Sequence, residues 1–285
     1  MTLRELDREL RRRLGEAVDD PAFEARCLLE KFMGLSRLDI LTNGDREALP
    51  EDTDLLLRLA ERRISGEPLQ YLLGEWDFMD ITLLCGEGVL IPRDDTAVLV
   101  ESTAQRLPKN RPLVGIDLCA GTGAVGLMMA KLTGADVTEV ELYDGAFGYL
   151  EKNLARYPEL KVGAVRGDVF SSDFAGTLPE NPDFIVSNPP YIESADMETL
   201  QKEVKREPET ALDGGTDGLD FYRAICDIWA KKLVEGGVLA VEIGETQAEA
   251  VKDLFIKAGM RDVRVHRDLG GLDRAVTGIK ITGGK

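Results

Sequence analysis

The first 66 residues follow a helical pattern of hydrophobic and polar positions. Leucines recur at three- and four-residue spacings from Leu3 to Leu14, which lines one face of an α-helix. Thr2 and Glu5 have the spacing of a capping box, in which each side chain accepts from the other's backbone N–H, so a helix is predicted to begin there. Residues 1–66 are therefore predicted to form a small helical bundle.

Two more helices are predicted within this bundle. Asp20 before Pro21 is typical of a helix start, and Gly34 marks the end of that helix. A third helix is predicted over 52–64. The residues predicted to form the buried faces are Phe23, Cys27, Leu28 and Phe32 in the second helix and Leu55, Leu56, Leu59 and Ile64 in the third.

The pattern changes after residue 66. Glycine, proline and aromatic residues interrupt the segment 67–90, which is predicted to be a linker with a β-hairpin. From residue 91 onward, short apolar strands alternate with helices, which is typical of an α/β fold with a parallel sheet. The predicted strands are 113–118, 136–142, 161–166, 183–187 and 238–243, and the runs 263–266 and 275–281 are predicted to close the sheet as an antiparallel hairpin.

Charge and hydropathy narrow the classes of protein. Lys and Arg total 35 against 52 Asp and Glu, a net charge of −17, which repels a phosphate backbone. We therefore expect no direct binding to DNA or RNA. No apolar run approaches the roughly 18 residues that cross a bilayer, and the charged N-terminus lacks the apolar core of a signal peptide. We expect a cytoplasmic protein that does not bind membranes.

Cysteine and histidine usage limits metal chemistry. The four cysteines, at positions 27, 85, 119 and 226, include no CxxC pair, so we interpret them as reduced thiols in the cytoplasm. The single histidine, His266, excludes a His-rich metal site and lies in a strand-like run. We expect no metal.

A glycine-rich loop over 117–126 follows the first strand of the predicted sheet. Glycine permits a sharp turn and a close approach of the backbone to a ligand. Glu141 ends the next strand, 20 residues after Gly121, where a carboxylate would accept both ribose hydroxyls. Asp168, after the third strand, would accept from an adenine amino group, and Val169 would pack on the ring. These residues predict an adenosine-containing ligand.

The identity of that ligand has two candidates. Gly121, Gly123 and Gly126 fit the dinucleotide fingerprint, so an NAD enzyme is an alternative. Asp117, at the end of the first strand, instead suits the cationic amino acid moiety of S-adenosylmethionine. The antiparallel hairpin also favours S-adenosylmethionine, because dinucleotide-binding folds usually lack it.

The sequence Asn188-Pro189-Pro190-Tyr191 follows the apolar strand that ends at residue 187. An amide or aromatic amine is a poor nucleophile, so an enzyme that alkylates it must hold both N–H bonds. An Asn side-chain oxygen and an adjacent main-chain carbonyl can accept those protons. Proline fixes the backbone without a competing N–H, and Tyr191 offers a flat face to the substrate. A simple strand-ending turn is the alternative.

These motifs, in this order, resemble those of the class I S-adenosylmethionine methyltransferases that modify amide or amino nitrogens. The chain is most similar to the release factor glutamine N(5)-methyltransferases (the PrmC/HemK family). Further stretches that resemble this family, across essentially the whole chain, are 66–74, 89–96, 207–212 and 217–222. The chain departs from the family pattern at Asp94 and Ala97, where Pro and Glu are usual, at Cys119-Ala120, where Gly-Thr is usual, and at Glu141, where Asp is commoner.

The resemblance implies a Rossmann-like methyltransferase domain over 91–285 and a helical bundle over 1–66 that contacts the release factor. It implies transfer of a methyl group from S-adenosylmethionine to the Gln of a Gly-Gly-Gln motif. Separately from the resemblance, we expect a monomer. Asn188 Oδ1 and the Pro189 carbonyl would accept the amide protons, and Tyr191 would help form the slot. The implied cofactor contacts are Asp117, Cys119, Ala120, Gly121, Thr122, Gly123, Glu141, Asp168, Val169 and Asn188, and the implied substrate contacts are Asn188, Pro189, Pro190 and Tyr191.

Two other functions remain open at this stage. A DNA or RNA methyltransferase uses the same Asn-Pro-Pro-Tyr chemistry on a flipped base, although the net charge opposes it. A binding module of the same fold without activity is the second alternative. The sequence does not specify which release factor is preferred or what Asp94 and Ala97 do to partner recognition.

Overall fold

A computed structural model describes residues 1–15 and 17–281. The chain divides into two compact units. Residues 1–75 together with 201–206 form the first, which we call the helical unit, and residues 76–200 with the chain from 207 onward form the second, which we call the sheet unit.

The helical unit is built from amphipathic helices. In its described part these are α1 (Leu3–Leu14), α2 (Pro21–Met33), α3 (Arg37–Asn43), α4 (Pro50–Ile64) and α5 (Leu69–Leu73). The capping box of Thr2 and Glu5 is confirmed, as are the Asp20 cap of α2 and the left-handed Gly34 that ends it. Helices α3 and α5 were not predicted, because each is too short to show a repeated apolar stripe.

The predicted buried face of α2 is wrong in part. Phe23 is 37% exposed, and the buried residues of α2 include Glu24 instead. The reason is an ion pair with α4: Arg63 Nε lies 2.6 Å from Glu24 Oε2 and Arg63 Nη2 lies 2.9 Å from Glu24 Oε1. Arg63 Nη1 also contacts Glu203 Oε1 at 2.7 Å. This buried arginine therefore joins α2, α4 and the segment 201–206. Ile64, predicted to be buried, is 42% exposed.

The sheet unit contains the predicted hairpin and the predicted mixed sheet. Strands β1 (Glu75–Phe78) and β2 (Ile81–Leu84) pair separately. The large sheet contains β3 (Val114–Leu118), β4 (Asp136–Glu141), β5 (Val162–Arg166), β6 (Phe184–Ser187), β7 (Val238–Glu242), β8 (Met260–Arg267) and β9 (Asp273–Lys280). Its order is β5-β4-β3-β6-β7-β9-β8. Strands β3 to β7 run parallel, and β9 pairs antiparallel with β7 and β8, which confirms the predicted closing hairpin.

Helices cover both faces of this sheet because its central strands are apolar on both sides. In β6, Phe184 and Val186 pack toward α6 (Ala97–Ala104) and α7 (Ala124–Thr133). Ile185 packs on the opposite face toward Trp229. The remaining α-helices of the described chain are α8 (Asp144–Leu154), α9 (Ser172–Ala175), α10 (Asp220–Ala224) and α11 (Ala248–Lys257), and a π-helical turn spans Ile225–Trp229. Each described helix is too short or too polar to span a bilayer.

Candidate active site

A cavity of about 240 Å³ opens in the sheet unit at the carboxyl ends of β3, β4 and β6. Ligands bind at this edge in open α/β sheets. The predicted site residues that line it are Asp117, Cys119, Ala120, Gly121, Thr122, Glu141, Asp168, Val169, Asn188 and Pro190. Gly123, Pro189 and Tyr191 lie directly beside these residues in the chain but do not line the cavity.

The loop between β3 and α7 turns sharply beside the cavity. Cys119 has a φ of 59°, Gly121 of 58° and Gly123 of 86°, all in the left-handed region that favours glycine. A Cβ at Gly121 would meet nothing closer than Val89 at 4.0 Å, so this glycine leaves its backbone open to a ligand. Burial raises the pKa of the Cys119 thiol, which therefore stays protonated and does not act as a nucleophile.

Two acidic side chains lie buried beneath this loop. Asp117 and Glu139 are register neighbours in β3 and β4, with relative exposures of 1% and 0%. Asp117 Oδ2 accepts from the Gly126 N–H at 2.8 Å, yet burial raises the pKa of Asp117 to about 8. A cation bound beside Asp117 would stabilise its ionised form. Glu139 was not singled out by the sequence, in which it is one of three acidic residues in the strand 136–141.

Glu141 is held by backbone N–H groups at the end of β4. Its Oε2 accepts from Gly121 at 2.9 Å, and its Oε1 accepts from Leu142 at 2.8 Å and from Tyr143 at 2.9 Å. Two carboxylate oxygens offer about four lone-pair directions, and three are used by these N–H groups, so this fixed group retains capacity for about one hydroxyl of a ligand, at Oε2. The side chain thus links the glycine-rich loop to the place where the sequence predicts a ribose.

The residues that follow β5 form another wall of the cavity. Asp168 Oδ1 accepts from the Phe170 N–H at 2.8 Å, and the Val169 carbonyl accepts from the Trp229 indole N–H at 2.8 Å. The rings of Phe170 and Phe221 meet edge to face with centroids 4.9 Å apart. Trp229 and Phe221 were missed by sequence reasoning, because they reach this wall from a segment distant in the chain.

Asn188 is half-buried at the end of β6. Its Nδ2 donates to Thr96 Oγ1 at 3.3 Å. Pro189 is buried behind it, and Tyr191 packs against the apolar core. The Tyr191 carbonyl accepts from Gln247 Nε2 at 2.9 Å, and burial raises the pKa of the Tyr191 hydroxyl to about 12. The motif is thus a rigid strand end with a neutral tyrosine.

Two loops that the motifs alone did not place complete the cavity. Residues 88–93 and 208–211 contribute to its lining. The buried carboxylate of Glu207 holds them together, because it accepts from the Ile91 N–H at 2.9 Å and pairs with Arg93. Sequence reasoning found both segments by their resemblance to a family, but no local pattern indicated that they touch.

Comparison with known proteins agrees with this arrangement. The profile of the PrmC N-terminal domain matches residues 5–74, and that of the methyltransferase small domain matches residues 94–216. The solved structure of the METTL16 methyltransferase domain (delta-N form) superposes with a TM-score of 0.50 at 18% identity, over 68% of this chain and 86% of that chain. That likeness supports the methyltransferase fold.

Curated relatives match over nearly their whole length. The release factor glutamine methyltransferase of Geobacter sulfurreducens is 38% identical over 266 residues, which is 92% of this chain and 91% of that protein. The release factor glutamine methyltransferase of Escherichia coli K12 is 35% identical over 264 residues, 92% of this chain and 94% of that protein. With this similarity, and with Asn188, Glu141 and the glycine-rich loop around one cavity, the chain belongs to the release factor glutamine methyltransferase family.

Proposed function

We propose that this enzyme transfers a methyl group from S-adenosylmethionine to the side-chain amide nitrogen of the Gln in the Gly-Gly-Gln motif of a peptide chain release factor. The observation that carries the assignment is Asn188, whose side chain lies on the same cavity as Glu141 and the 117–123 loop. A planar amide acceptor beside a nucleoside-type site suits transfer to an amide nitrogen better than it suits hydride transfer.

The residues around the cavity fit S-adenosylmethionine. Glu141 would accept from a ribose hydroxyl at Oε2, Asp168 from the adenine amino group, and Val169 would pack on the ring. Asp117 would face the cationic amino acid portion, and Cys119, Ala120, Thr122 and Gly123 would enclose it through the backbone turn that Gly121 keeps open. When bound, S-adenosylmethionine supplies a sulfonium methyl group, which transfers as the C–S bond breaks and the N–C bond forms.

The residues of the enzyme hold the nucleophile, which is the substrate amide nitrogen. Asn188 Oδ1 and the Pro189 carbonyl would accept the two amide protons. Pro190 lines the cavity, and Tyr191, which packs against the core beside it, would support the slot from behind. Positioning of this kind is worth roughly 7–11 kcal/mol of the barrier at best. Acceptors aimed at the two N–H groups also bind more tightly as the nitrogen becomes positive. One proton then leaves to water, since Tyr191, with its raised pKa, is neutral.

We also propose that the helical unit contacts the release factor. A groove of about 360 Å³ in this unit is lined by apolar side chains and by four arginines, against a single acid. Arg4 lies 3.5 Å from Asp45, and Arg11 lies 2.9 Å from Asp7. For Arg26 and Arg37, no carboxylate of the described chain lies at ion-pair distance. In a protein of net charge −17, this concentration of cations fits an acidic segment of the substrate.

The cysteines and the net charge bear on the cellular compartment and the partners of the enzyme. The cysteines of the described chain are free thiols, which suits a reducing cytoplasm. We expect the enzyme to act as a monomer. Its net charge opposes direct binding to nucleic acid. A base methyltransferase is nevertheless the second candidate function, because such enzymes use the same Asn-Pro-Pro-Tyr chemistry.

The deciding experiment is methyl transfer from labelled S-adenosylmethionine to purified release factor, with the loop Gln intact or replaced by Glu, and to DNA and RNA in parallel. We expect one methyl per release factor only when Gln is present. Asn188→Ala should lower kcat by about 10²–10³, the usual loss for one polar group aimed at the transition state, and leave the Kd of S-adenosylmethionine within about threefold because the carboxylates remain.

Asn110→Ala is the matched control, because Asn110 is an exposed asparagine of the same unit that does not line the cavity, and it should behave as wild type. Label entering nucleic acid and not the release factor would show that the substrate assignment is wrong. Transfer to the Glu variant of the release factor would show that the acceptor is another residue.

A further inference from the structure

The Asn188 carboxamide has a donor end and an acceptor end of nearly the same shape. Only the acceptor end, Oδ1, can hold a substrate N–H, so the orientation of this group decides whether the site works. Asn188 Nδ2 donates to Thr96 Oγ1 at 3.3 Å. Thr96 is 3% exposed, so this bond is shielded from water. The behaviour of the Thr96 hydroxyl therefore determines which end of Asn188 faces the cavity.

A second neighbour of the Thr96 hydroxyl is Glu242, which lies at the end of β7 and is 2% exposed. Its interaction with Thr96 lowers the pKa of Glu242, and the buried Glu242 Oε2 has no hydrogen-bond partner of good geometry in the described chain. An ionised carboxylate has only acceptors, and a hydroxyl has one proton. A Thr96 hydroxyl that gives its proton to ionised Glu242 can only accept from Asn188, which is the direction of the Asn188–Thr96 bond. The Asn188 amide nitrogen is then turned toward Thr96, and Oδ1 is turned away from it.

We propose that Thr96 and Glu242 are positioning residues that orient the Asn188 carboxamide with Oδ1 toward the substrate amide. This inference rests on the proposed function, in which Asn188 accepts a substrate N–H. Protonation of Glu242 reverses the chain of hydrogen bonds: the carboxylic acid can donate to Thr96, the Thr96 hydroxyl can then donate to Asn188 Oδ1, and the acceptor is lost to the substrate.

The surroundings of Glu242 place that reversal near neutral pH. Burial raises the pKa of Glu242 to about 7, against the opposing effects of Thr96 and Arg274. The charged or titratable side chains that face it are Arg274, Arg93, Asp95, Tyr191 and Tyr222. The two arginines favour the ionised form and Asp95 opposes it, and both tyrosines have raised pKa values and remain neutral.

Kinetics of three variants test the proposal with full-length enzyme and release factor. Thr96→Val keeps the shape but removes the hydroxyl, and should lower kcat about tenfold with the Kd of S-adenosylmethionine unchanged. Thr96→Ser restores the hydroxyl and should recover most of kcat. Wild-type kcat should fall as the pH drops through about 7, where Glu242 becomes protonated. Glu242→Gln should lower kcat, because its amide can also donate, and should lose that pH dependence.

A readout without substrate separates this inference from the proposed function. The ¹⁵N side-chain amide resonance of Asn188, assigned by its loss in Asn188→Ala, should shift with pH in wild type as Glu242 titrates and stay constant in Glu242→Gln. A Thr96→Val enzyme with wild-type kcat, or an amide signal that titrates equally in Glu242→Gln, overturns the proposal. If wild type transfers no methyl to the release factor, the proposed function fails, and the amide titration alone decides the orientation.

Discussion

Glu139 places a carboxyl group where an apolar side chain would ordinarily pack. Neither of its oxygens has a hydrogen-bond partner of good geometry in the described chain. The backbone of Leu127 favours its ionised form, but burial and the neighbouring Asp117 outweigh this effect and raise the pKa of Glu139 well above its usual range. Glu139 therefore keeps its proton to a higher pH in the folded protein than in the unfolded chain.

The raised pKa predicts that stability falls as pH rises. The folded state binds more protons than the unfolded state above the ordinary glutamate pKa of 4.5, so the free energy of unfolding declines from there toward the folded pKa. Glu139→Gln removes this pH-dependent contribution to the free energy of unfolding, because glutamine does not titrate. We expect the stability of Glu139→Gln relative to wild type to be more favourable at pH 8 than at pH 5.

Urea unfolding at the two pH values, followed by tryptophan fluorescence, measures this difference. Both tryptophans, Trp76 and Trp229, lie in the sheet unit. Glu159→Gln is the matched control, because Glu159 is exposed, and it should show no such dependence. An equal pH response of wild type and Glu139→Gln would mean that Glu139 ionises normally in the folded state.

Among single residues, the sequence predicted part of the lining of the candidate site. Glu141, Asp168 and Asn188, which line the cavity, could be selected because polar residues at the ends of strands stand out in the pattern. Thr96 and Glu242 were not assigned roles, because Thr96 meets Asn188 across 92 residues of chain and no local period encodes such a contact. Phe23 was placed in the core because hydrophobicity alone does not reveal a buried arginine that selects Glu24 as the inward residue.

Among the elements, the start of α7 is fitted closely to β4. A Cβ at Gly126 would lie 2.5 Å from Glu139 Oε1, which real contacts essentially never show. The third glycine of the loop therefore leaves room for the Glu139 side chain and brings its own N–H to Asp117. The sequence suggested a dinucleotide fingerprint at this position, whereas the structure gives the glycine a packing role.

This fit predicts a strong coupling between Gly126 and Glu139. Gly126→Ala should cost about 1–3 kcal/mol by overpacking. In a Glu139→Ala background the space is free, so the same change should be neutral or stabilise by up to about 1 kcal/mol, the gain in helix propensity. A double-mutant cycle of unfolding free energies measures the coupling.

Gly148→Ala serves as the control for that cycle. Gly148 lies in α8, and a Cβ there would meet nothing within 4 Å. It should stabilise equally in both backgrounds. A coupling of zero between Gly126 and Glu139 would show that the glutamate side chain moves aside without cost.

The order of the elements was largely predictable, and their long-range associations were not. The predicted strands of the large sheet match β3 to β9 with ends shifted by a few residues, because apolar runs and turn residues mark them. The return of residues 201–206 to the helical unit was not predicted, since it depends on the ion pair of Arg63 with Glu203.

For the whole molecule, the distribution of charge matters more than its sum. The chain carries a net charge of −17, yet the groove of the helical unit gathers four arginines, at positions 4, 11, 26 and 37. Arg37 is exposed and Arg26 lies over the Phe23 ring at 5.3 Å. Cations grouped on an acidic protein attract an acidic surface locally, although the net charge of the whole chain would repel it.

Reversal of these charges should therefore weaken capture of the release factor without altering the chemistry. We expect Arg26→Glu/Arg37→Glu to raise the KM for release factor about tenfold at low salt, with kcat and the Kd of S-adenosylmethionine unchanged. Added salt should raise the wild-type KM and affect that of the double variant much less, because screening removes an attraction that the variant has already lost.

Arg58→Glu, an exposed arginine on α4 that does not line the groove, is the control and should keep the wild-type KM. Circular dichroism should show unchanged helix content. An unchanged KM in the double variant would mean that the release factor binds elsewhere on the enzyme.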